Sequence, residues 1–573
     1  MNVDTLAQSA GISGDGSSLS GSAASPGALW QSVWRKVCFN VDGIAIGTTV
    51  AALASHGVLQ ALADAKAPVS IDTLARRFAA RPGYLHLAMR LLAGQGFIHY
   101  EGHDFGQHRA ALTADGTDWL AALPAYALMP ELLDAASRLP AMITGKLPPA
   151  SELIDILERG LHSPGLDGLP TGLRQRVRAH ILGPGVAVSL HALVQAGIAG
   201  PPIEQPDGRI TRSALPASGP ASALALRLLA AQGWVARDGD AFFLTEEGIL
   251  AAGIAAQYSM VLAYLPTFRK VPQLLFAHGP AARASAGAPD ENLDRSLDIE
   301  ISGDVFSRHC RLPLLDVALP LFNREALAKQ PLAIVDTGCG DGTMLLETVL
   351  AIREHSLRGR SLDAHPLLAV GADTSPIARR VTAERLARAG VPHLVVHGDI
   401  AAPGQLAAEL ASHGVDMREA LHMCKSVIHN RVYQPPQDTA AAATRRPCSE
   451  ALFVAQDGTL VAPQLMEQNL MEHFRAWLPW TRRHGMIVIE AHAVAPEITC
   501  AHLGKSVITM LQASHGYSRQ NLIEADCHRA LAREAGFIRL ASRDLLAAGG
   551  QALLTLDYML PLEAIGLLGE LPN

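Results

Sequence analysis

The feature that most constrains the fold is the stretch at 332–342, Leu-Ala-Ile-Val-Asp-Thr-Gly-Cys-Gly-Asp-Gly. Its apolar start, Leu332 to Val335, predicts a buried parallel strand, because such strands are covered by helices on both faces. Asp336 ends the strand, and a helical pattern begins at Thr343 after three alternate glycines: Gly338, Gly340 and Gly342. Such glycines let the backbone turn tightly and approach a ligand closely. The pattern therefore predicts a nucleotide-type cofactor site at the carboxyl edge of a parallel sheet.

The spacing of the glycines separates this site from other nucleotide sites. A dinucleotide fingerprint reads G-x-G-x-x-G and a phosphate loop reads G-x-x-x-x-G-K-[ST], whereas this chain has D-x-G-x-G-x-G. Two more apolar strands follow, Leu367 to Ala372 and His393 to His397, and an acid comes after each, Asp373 and Asp399. An acid at the end of the second strand is placed to accept hydrogen bonds from both hydroxyls of a ribose.

Together these motifs resemble those of class I S-adenosylmethionine (SAM) methyltransferases. The resemblance implies an α/β Rossmann-like class I methyltransferase domain with a mixed seven-stranded sheet, and SAM as the cofactor. It also implies that the cofactor is held by the matching residues, which are Asp336, Gly338, Gly340, Gly342, Asp373, Asp399 and Ile400. The gap between the first two strand-end acids is long for this fold. The polar, basic segment 354–366 is expected to be a surface insertion that accounts for it.

The bulk composition limits the partners to be expected. At 573 residues the chain is too long for one core, which predicts several domains. A net charge of −7 and a pI near 6.4 give no reason to expect nucleic acid, which requires a basic face. We expect no membrane contact, because no apolar run is as long as a membrane helix and the amino terminus lacks the pattern of a secretory signal. Residues 1–28, rich in Ser, Gly and Ala, are expected to be a disordered leader.

The seven cysteines show no pairing pattern in the sequence. Their number is odd and no C-x-x-C occurs, so the sequence predicts neither a disulfide framework nor a zinc knuckle. A reduced, cytoplasmic protein fits this cysteine content.

The first half of the chain contains an internal duplication. LLAGQGFI at 91–98 returns as LLAAQGWV at 228–235, and LTADG at 112–116 returns as LTEEG at 244–248. Each copy reads as helices followed by a small β-wing, which resembles a winged helix. The two helices that would enter a DNA groove carry one arginine each, so we expect them to serve packing or dimerisation, which leaves a homodimer open.

These features divide the chain into five parts. They are the leader at 1–28, a winged-helix-like unit at 29–125, a helical linker with a second winged-helix-like unit at 126–250, a helical lid or bridge at 251–328 and the SAM-binding domain at 329–573. The fold class is thus a Rossmann-like methyltransferase domain preceded by mainly helical, winged-helix-like domains.

Residues that could act on a methyl acceptor follow the next two strands. Strand four, Ala420 to Ile428, runs into His429, and strand five, Met486 to Ile489, is followed within three residues by His492. Transfer from SAM needs little beyond positioning and a base, because the sulfonium is already a strong electrophile, and either histidine could be that base. Methylation at a carbon beside a carbonyl also needs an enolate to be stabilised, which a metal ion on the carbonyl oxygen achieves.

Four further segments carry a closer resemblance. They are K-S-x-x-H-N-R-x-Y at 425–433, A-Q-D-G at 455–458, H-G-Y-S at 515–518 and the segment 295–303. Together they resemble the mononuclear-iron C-methyltransferase domains of polyketide synthase loading modules, of the apratoxin and saxitoxin type. That group methylates the α-carbon of a malonyl or methylmalonyl unit on an acyl carrier protein.

This resemblance implies specific site residues. Fe(II) or Mn(II) would be bound by His429 and by Gln456, which follows it by 27 residues. Asp457 is a rival ligand to Gln456. His492, His515 and Tyr517 are candidate contacts to the acceptor.

Three functions follow from these readings. The preferred hypothesis is metal-assisted C-methylation of a malonyl-type acceptor in secondary metabolism, either as a free small molecule or on a carrier protein met in trans. The second is a metal-free O- or N-methyltransferase for a small molecule, with His429 or His492 as base. The third is a transcriptional regulator that senses SAM, and the scarcity of basic residues on the recognition helices speaks against it.

Overall fold

The computed structural model describes residues 26–567, except 103–104, 163–164, 198–202, 205–209, 212–218, 240 and 278–291. The predicted leader therefore lies almost wholly outside the described residues. The described chain packs into two compact units. Unit 1 takes in residues up to 294 with 457–459 and 496–518, and unit 2 takes in 295–456, 460–495 and the residues from 519 onwards. The domain boundaries drawn from the sequence stay predictions.

Unit 1 is mainly helical. Its helices are α1 (Pro26–Ser55), α2 (Val58–Ala63), α3 (Ile71–Arg77), α4 (Pro82–Gly94), α5 (Ala114–Trp119), α6 (Leu123–Tyr126), α7 (Met129–Ile143), α8 (Ser151–His162), α9 (Thr171–Gln195), α10 (Pro220–Ala231), α11 (Glu246–Gly253), α12 (Gln257–Ala263), α13 (Leu265–Arg269) and α14 (Val271–Phe276), and later in the chain α22 (Pro496–Ala501) and α23 (Ile508–Tyr517). Its strands are β1 (Val69–Ser70), β2 (Ile98–Glu101), β3 (Arg109–Leu112), β4 (Ile203–Glu204), β5 (Ile210–Thr211), β6 (Val235–Asp238) and β7 (Ala241–Leu244).

Both copies of the duplication adopt the predicted helix-and-wing order. In the first copy α4 leads into the antiparallel hairpin β2–β3, in which Ile98 pairs with Leu112. In the second copy α10 leads into β6–β7, in which Val235 pairs with Leu244. The winged-helix-like architecture expected before the catalytic domain is therefore confirmed.

The duplication extends to individual hydrogen bonds. After each wing a threonine caps the next helix: Gly116 N donates to Thr113 Oγ1 at 2.9 Å, and Gly248 N donates to Thr245 Oγ1 at 3.1 Å. A Cβ atom at Gly116 would lie 1.8 Å from a backbone carbonyl oxygen, and one at Gly248 would lie 1.9 Å from the equivalent oxygen. Both copies therefore require glycine at this position because the helix starts against the wing backbone.

Helix α1 lies at the centre of unit 1 and forms hydrogen bonds with both copies of the duplicated segment. Gln95 Nε2 of the first copy donates to Asp42 Oδ2 at 3.0 Å, and Gln232 Nε2 of the second donates to Asn40 Oδ1 at 2.8 Å. Where α1 crosses α9 the backbones nearly touch, since a Cβ atom at Gly43 would lie 2.2 Å from the α9 backbone. Burial raises the pKa of Asp42 to about 7, against the hydrogen bonds from Gln95 and Thr509, which lower it.

The length of α1 and α9 corrects one expectation. In the part of the chain that the structure describes, these two helices are long and apolar enough to cross a membrane by length and composition alone. The sequence scan missed them because small residues such as Gly and Thr interrupt the apolar runs. Within the protein, 94% of the apolar window of α1 and 83% of that of α9 are buried, as in core helices of soluble proteins, which pass the same test.

Unit 2 is an α/β structure around one large sheet. Its strands are β8 (Ala333–Thr337), β9 (Leu368–Asp373), β10 (His393–His397), β11 (Ala420–Lys425), β12 (Phe453–Val454), β13 (Leu460–Val461), β14 (Met486–Ala491), β15 (Phe537–Ala548) and β16 (Gln551–Pro561). Its helices are α15 (Arg295–Val305), α16 (Arg311–Ala318), α17 (Thr343–His355), α18 (Pro376–Arg388), α19 (Pro403–Ser412), α20 (Thr439–Thr444), α21 (Pro463–Trp477) and α24 (Ala525–Ala535).

The order of the strands confirms the predicted mixed seven-stranded sheet. Across the sheet the order is β10-β9-β8-β11-β14-β16-β15. Strands β8 to β11 and β14 run parallel to one another, whereas β16 is antiparallel to both β14 and β15. The order reverses between β8 and β11, and ligands bind beyond the carboxyl ends of the strands at such a switch point.

Two local expectations need correction. The segment 354–366 lies mostly at the surface, as expected, but it is anchored by Arg358, which is fully buried and whose Nε donates to Gln330 Oε1 at 2.9 Å. The cysteines were expected to form no bridge, yet Cys448 and Cys527 form a disulfide across 79 positions of sequence. Both partnerships join residues that are distant in sequence, and no local pattern signals them.

Substitution of Gly116, in the first turn of α5, tests the close contact between this helix and the wing backbone of unit 1. Replacing Gly116 with alanine forces the wing carbonyl to move, and we expect a loss of about 1–3 kcal/mol in stability, the usual cost of overpacking. Thermal and denaturant unfolding measure it. Gly172→Ala is the matched control, since Gly172 is also helical and has open space around it. Equal stability of the two variants would contradict the assigned contact.

Candidate functional site

The glycine loop after β8 has the geometry of a cofactor loop. Gly338, Gly340 and Gly342 have positive φ angles of 81°, 56° and 78°, a region that other residues rarely adopt. Gly338 N donates to the carbonyl of Ala372 at 2.7 Å, and Gly342 caps the start of α17. A Cβ atom at Gly338 would lie 2.2 Å from Val427 Cγ1, so the loop packs directly against the segment after β11.

Two aspartates stabilise this loop by accepting hydrogen bonds from its backbone. Asp373, at the end of β9, accepts from Gly340 N at 3.1 Å and from Ser375 N at 2.8 Å. Asp341, inside the loop, accepts from Thr343 N and pairs with Arg385 of α18 at 2.8 Å. The sequence analysis did not single out Asp341, although an acid inside a glycine loop directly before a helix start is the signal that would have found it.

Asp336 is a buried carboxylate without a hydrogen-bonding partner among the described residues. It is fully inaccessible, and neither of its side-chain oxygens accepts a hydrogen bond. Burial raises its pKa well above the usual range, Asp373 adds to the shift, and the nearby ammonium group of Lys425 opposes it. Such an acid at the cofactor loop fits a cationic group of a ligand, and the methionyl ammonium of SAM is such a group.

Asp399 and Ile400 follow β10 at the same edge of the sheet. The exposed Asp399 accepts from Ala401 N at 2.8 Å through Oδ1. Ile400 is buried, and its carbonyl accepts from Trp477 Nε1 at 3.0 Å, which fixes the backbone there. Ile400 thus offers an apolar surface beside the hydrogen-bond acceptor Asp399, and their contact with the cofactor stays a prediction.

Lys425 and Ser426 form the turn out of β11. The buried Nζ of Lys425 donates to Ser302 Oγ of α15 at 2.7 Å, and burial lowers the pKa of this lysine. Ser426 has a positive φ of 55°, which is uncommon outside glycine. Strand four therefore ends at 425 rather than at 428 as predicted, and the following residues turn across the sheet edge.

His429 and Glu490 form a buried pair at this edge. Both side chains are almost inaccessible, and His429 Nδ1 is bonded to Glu490 Oε1. Glu490 is the last residue but one of β14, the parallel neighbour of β11, and it also accepts from Ile428 N at 3.0 Å and from Ala491 N at 3.0 Å. Burial alone would raise the pKa of Glu490, but the charge and hydrogen bond of His429 lower it to about 2.

This pair fixes the tautomer of the histidine. An ionised Glu490 holds the imidazole proton on Nδ1, which puts the lone pair on Nε2. A carboxylate behind an imidazole orients it both as a metal ligand and as a base. The role of Glu490 was not predicted, although an acid near the end of the strand beside the one that leads to His429 is a signal for it.

Gln456 lies at the turn of the small hairpin β12–β13. Its side chain is exposed and makes no hydrogen bond to the described residues. Among the described residues, His429 does not belong to any cluster of three or more His, Cys, Asp or Glu ligand atoms. His429 thus fits one position of a metal shell, and the place of Gln456 in that shell stays a prediction. Asp457, its rival, is tied to Thr459 through Oδ1.

Two of the other candidates, His492 and Tyr517, are held by structural contacts. His492 is fully buried, with Nδ1 near the carbonyl of Ile523 at 3.1 Å and Nε2 bonded to Thr555 Oγ1 at 2.8 Å. Burial lowers its pKa to about 3, so it stays neutral. Tyr517 belongs to unit 1, where its buried hydroxyl bonds to Thr49 Oγ1 at 2.8 Å. These contacts favour packing, and the acceptor roles of both residues stay predictions.

Comparison with known proteins identifies the domains. Residues 290–545 match the family model of the AprA MT2-like domain, residues 35–100 that of the AprA N-terminal domain and residues 215–278 that of the AprA winged helix domain. A search of curated proteins finds no match to the sequence.

Solved structures resemble the chain only distantly. An O-methyltransferase family 2 protein from Planctomyces limnophilus, in complex with apigenin, shares 10% identity over 93% of this chain and 96% of its own, with a TM-score of 0.38. Human N-acetylserotonin methyltransferase, in complex with SAM, shares 14% over 66% and 94% (TM-score 0.36). The CurJ carbon methyltransferase shares 11% over 71% and 97% (TM-score 0.30). TM-scores this low establish no equivalence of residues.

The glycine loop, the strand-end acids and the matched catalytic domain define a SAM-dependent methyltransferase of class I. Three of its segments match models of AprA domains, in the order N-terminal domain, winged helix domain and MT2-like domain. The predicted enzyme class and SAM as the cofactor are thus confirmed, whereas the metal ion stays a prediction.

The substitution Asp336→Asn should lower the affinity for SAM without lowering the stability of the SAM-free protein. Removing a buried, unpartnered carboxylate should leave the SAM-free protein as stable as before or more stable. Affinity for SAM should fall about tenfold or more, because a charge-assisted hydrogen bond contributes roughly 1.5–3 kcal/mol. Calorimetry and thermal unfolding measure the two effects, with the exposed Asp363→Asn as control. Unchanged affinity would remove Asp336 from the cofactor site.

Proposed function

We propose that the protein methylates the α-carbon of a malonyl-type or related carbonyl acceptor, free or on an acyl carrier protein, in secondary metabolism. The match to the AprA MT2-like domain supports this acceptor class, together with the segments that resemble loading-module C-methyltransferases. The observation that carries the proposal is the buried His429–Glu490 pair beside the cofactor loop.

The residues of the site have separable tasks. Asp336 and the glycine loop hold SAM, and Val427, packed on Gly338, sets the distance from that loop to His429. The acceptor carbon becomes a nucleophile by losing a proton or a carboxylate. In this metal-assisted function Glu490 keeps the proton of His429 on Nδ1, so that the Nε2 lone pair is available to a metal ion. The acceptor carbon then forms a bond to the methyl group, the sulfonium bond breaks, and the sulfur keeps the electron pair.

His429 and Gln456 are the residues that would hold Fe(II) or Mn(II). Imidazole and oxygen ligands suit either metal, and Glu490 would support His429 as a ligand in the way that carboxylates commonly do. When bound, the metal would polarise the acceptor carbonyl and stabilise an enolate.

The same pair supports a second function. An imidazole oriented by an ionised carboxylate is also a complete base for removing a hydroxyl or amine proton. A metal-free O- or N-methyltransferase for a small molecule would use His429 and Glu490 unchanged. The two functions differ in their need for metal.

Metal content separates the two functions. The protein purified without oxygen should contain about one equivalent of Fe or Mn by elemental analysis, and His429→Ala should contain none. The variant should also lose methyl transfer to malonyl-type thioesters, measured by mass spectrometry. His413→Ala, an exposed histidine of the same unit, is the control. No Fe or Mn after reconstitution, with activity on hydroxyl or amine acceptors, would overturn C-methylation in favour of the second function.

Glu490→Gln tests the positioning of His429. The amide can still bond to Nδ1 but no longer stabilises an imidazolium, so we expect kcat to fall about 10–100-fold. Steady-state kinetics and thermal unfolding measure the effect. A lower stability with an unchanged kcat would show that Glu490 has a purely structural role.

A further inference from the structure

Three side chains from separate elements of unit 2 meet around the disulfide. Cys448 lies in the segment between α20 and β12, Cys527 in the first turn of α24, and Glu467 on α21. Two sulfur atoms and a carboxylate oxygen lie within 4.8 Å of one another. Cys448 is exposed, whereas Cys527 and Glu467 are buried.

The carboxylate is held in place independently of the sulfur atoms. Glu467 Oε1 accepts from Cys448 N and from Ser449 N, each at 2.8 Å. Those two bonds fix the oxygen against the cysteine segment whether the sulfurs are bridged or not. The three ligand groups are therefore preorganised, which lowers the entropic cost of binding a further group between them.

The disulfide leaves the carboxylate poorly matched to its surroundings. Cys527 Sγ lies 3.7 Å from Glu467 Oε1, a contact that suits a thiol donor. A bridged sulfur has no hydrogen to donate, so the bridged state places sulfur lone pairs beside a buried carboxyl oxygen. A cation bound between the sulfurs and the carboxylate removes that repulsion, because the lone pairs of all three groups then coordinate a positive charge.

We propose that Cys448, Cys527 and Glu467 of the reduced protein bind a divalent cation of the zinc type. Two thiolates favour a soft or borderline metal such as Zn²⁺, and three protein ligands with a water molecule complete a tetrahedral shell. The exposed side of Cys448 admits that water. None of the three ligands is among the residues assigned to methyl transfer.

The disulfide is the oxidised, metal-free form of the same site. Two thiolates lose two electrons and form one S–S bond, while a peroxide takes up those electrons with two protons and becomes water. The cation then leaves, since a disulfide is a poor ligand. In either form the segment after α20 stays tied to α24, so metal replaces the bridge where the surroundings are reducing.

Zinc titration of the full chain tests the site. After reduction with a phosphine and removal of metal, the protein should take up one equivalent of Zn²⁺ in competition with a chromophoric chelator, and its melting temperature should rise. Cys448→Ser, at an exposed position, should lose at least about tenfold in affinity, since even an outer-shell partner is worth that much. Cys500→Ser, which alters a free cysteine, should bind like the parent.

Two further measurements complete the test. Glu467→Gln keeps both thiols and should weaken zinc binding, and peroxide should release the zinc while two thiols disappear from alkylation. His429→Ala should keep the zinc, which separates this site from the proposed Fe or Mn site. No zinc uptake by the reduced parent, or equal affinity in Cys448→Ser, would overturn the proposal.

Discussion

The missing side chain at Gly338 controls how the rest of the site is assembled. Val427 Cγ1 occupies the space in which a Cβ atom would stand, so the cofactor loop and the turn after β11 are in direct contact. His429 follows that turn by two residues. Any side chain at 338 would push the loop away from the turn, and the separation between methyl donor and base would change with it. Positioning at this scale is what methyl transfer from a reactive sulfonium requires.

Buried charge is the second constraint on the site. Burial raises the pKa of Asp336 and Asp373, whereas Lys425 sits among the acids and has its own pKa lowered by burial. Glu490 keeps its charge because His429 is bonded to it. The sheet edge is therefore organised for ligands that bring positive charge. SAM brings a sulfonium and an ammonium group, and it suits such an edge better than an anionic cofactor would.

Much of the fold could be predicted from local patterns. The apolar run before Asp373 and the run His393–His397 gave strands with bounds within one residue, because parallel strands buried on both faces have continuous apolar sequences. The three glycines gave the cofactor loop because their positive φ angles are a local requirement. In these places the chemistry of adjacent residues decides the structure.

The parts of the fold and of the site that local patterns did not predict depend on contacts between residues far apart in sequence. The spacing of 27 residues between His429 and Gln456 does not predict where the β12–β13 hairpin places Gln456 relative to His429. Glu490 acquires its role only because β14 pairs beside β11, 61 positions from His429. The burial of Arg358 and the Cys448–Cys527 bridge are likewise tertiary, and composition pointed the other way for the cysteines.

Helix α1 has a consequence for how the protein is made. It is synthesised before several of its partners: Gln232, which bonds to Asn40, follows 192 residues later, and Lys505, whose carbonyl accepts from Trp34 Nε1, follows 471 residues later. At about 5–20 residues per second, the second interval lasts roughly 20–90 s. During that time the parts of α1 that contact α23 and Lys505 have no native partner, whereas α9 and the other helices packed on α1 are already made. Slower translation lengthens this exposure rather than shortening it.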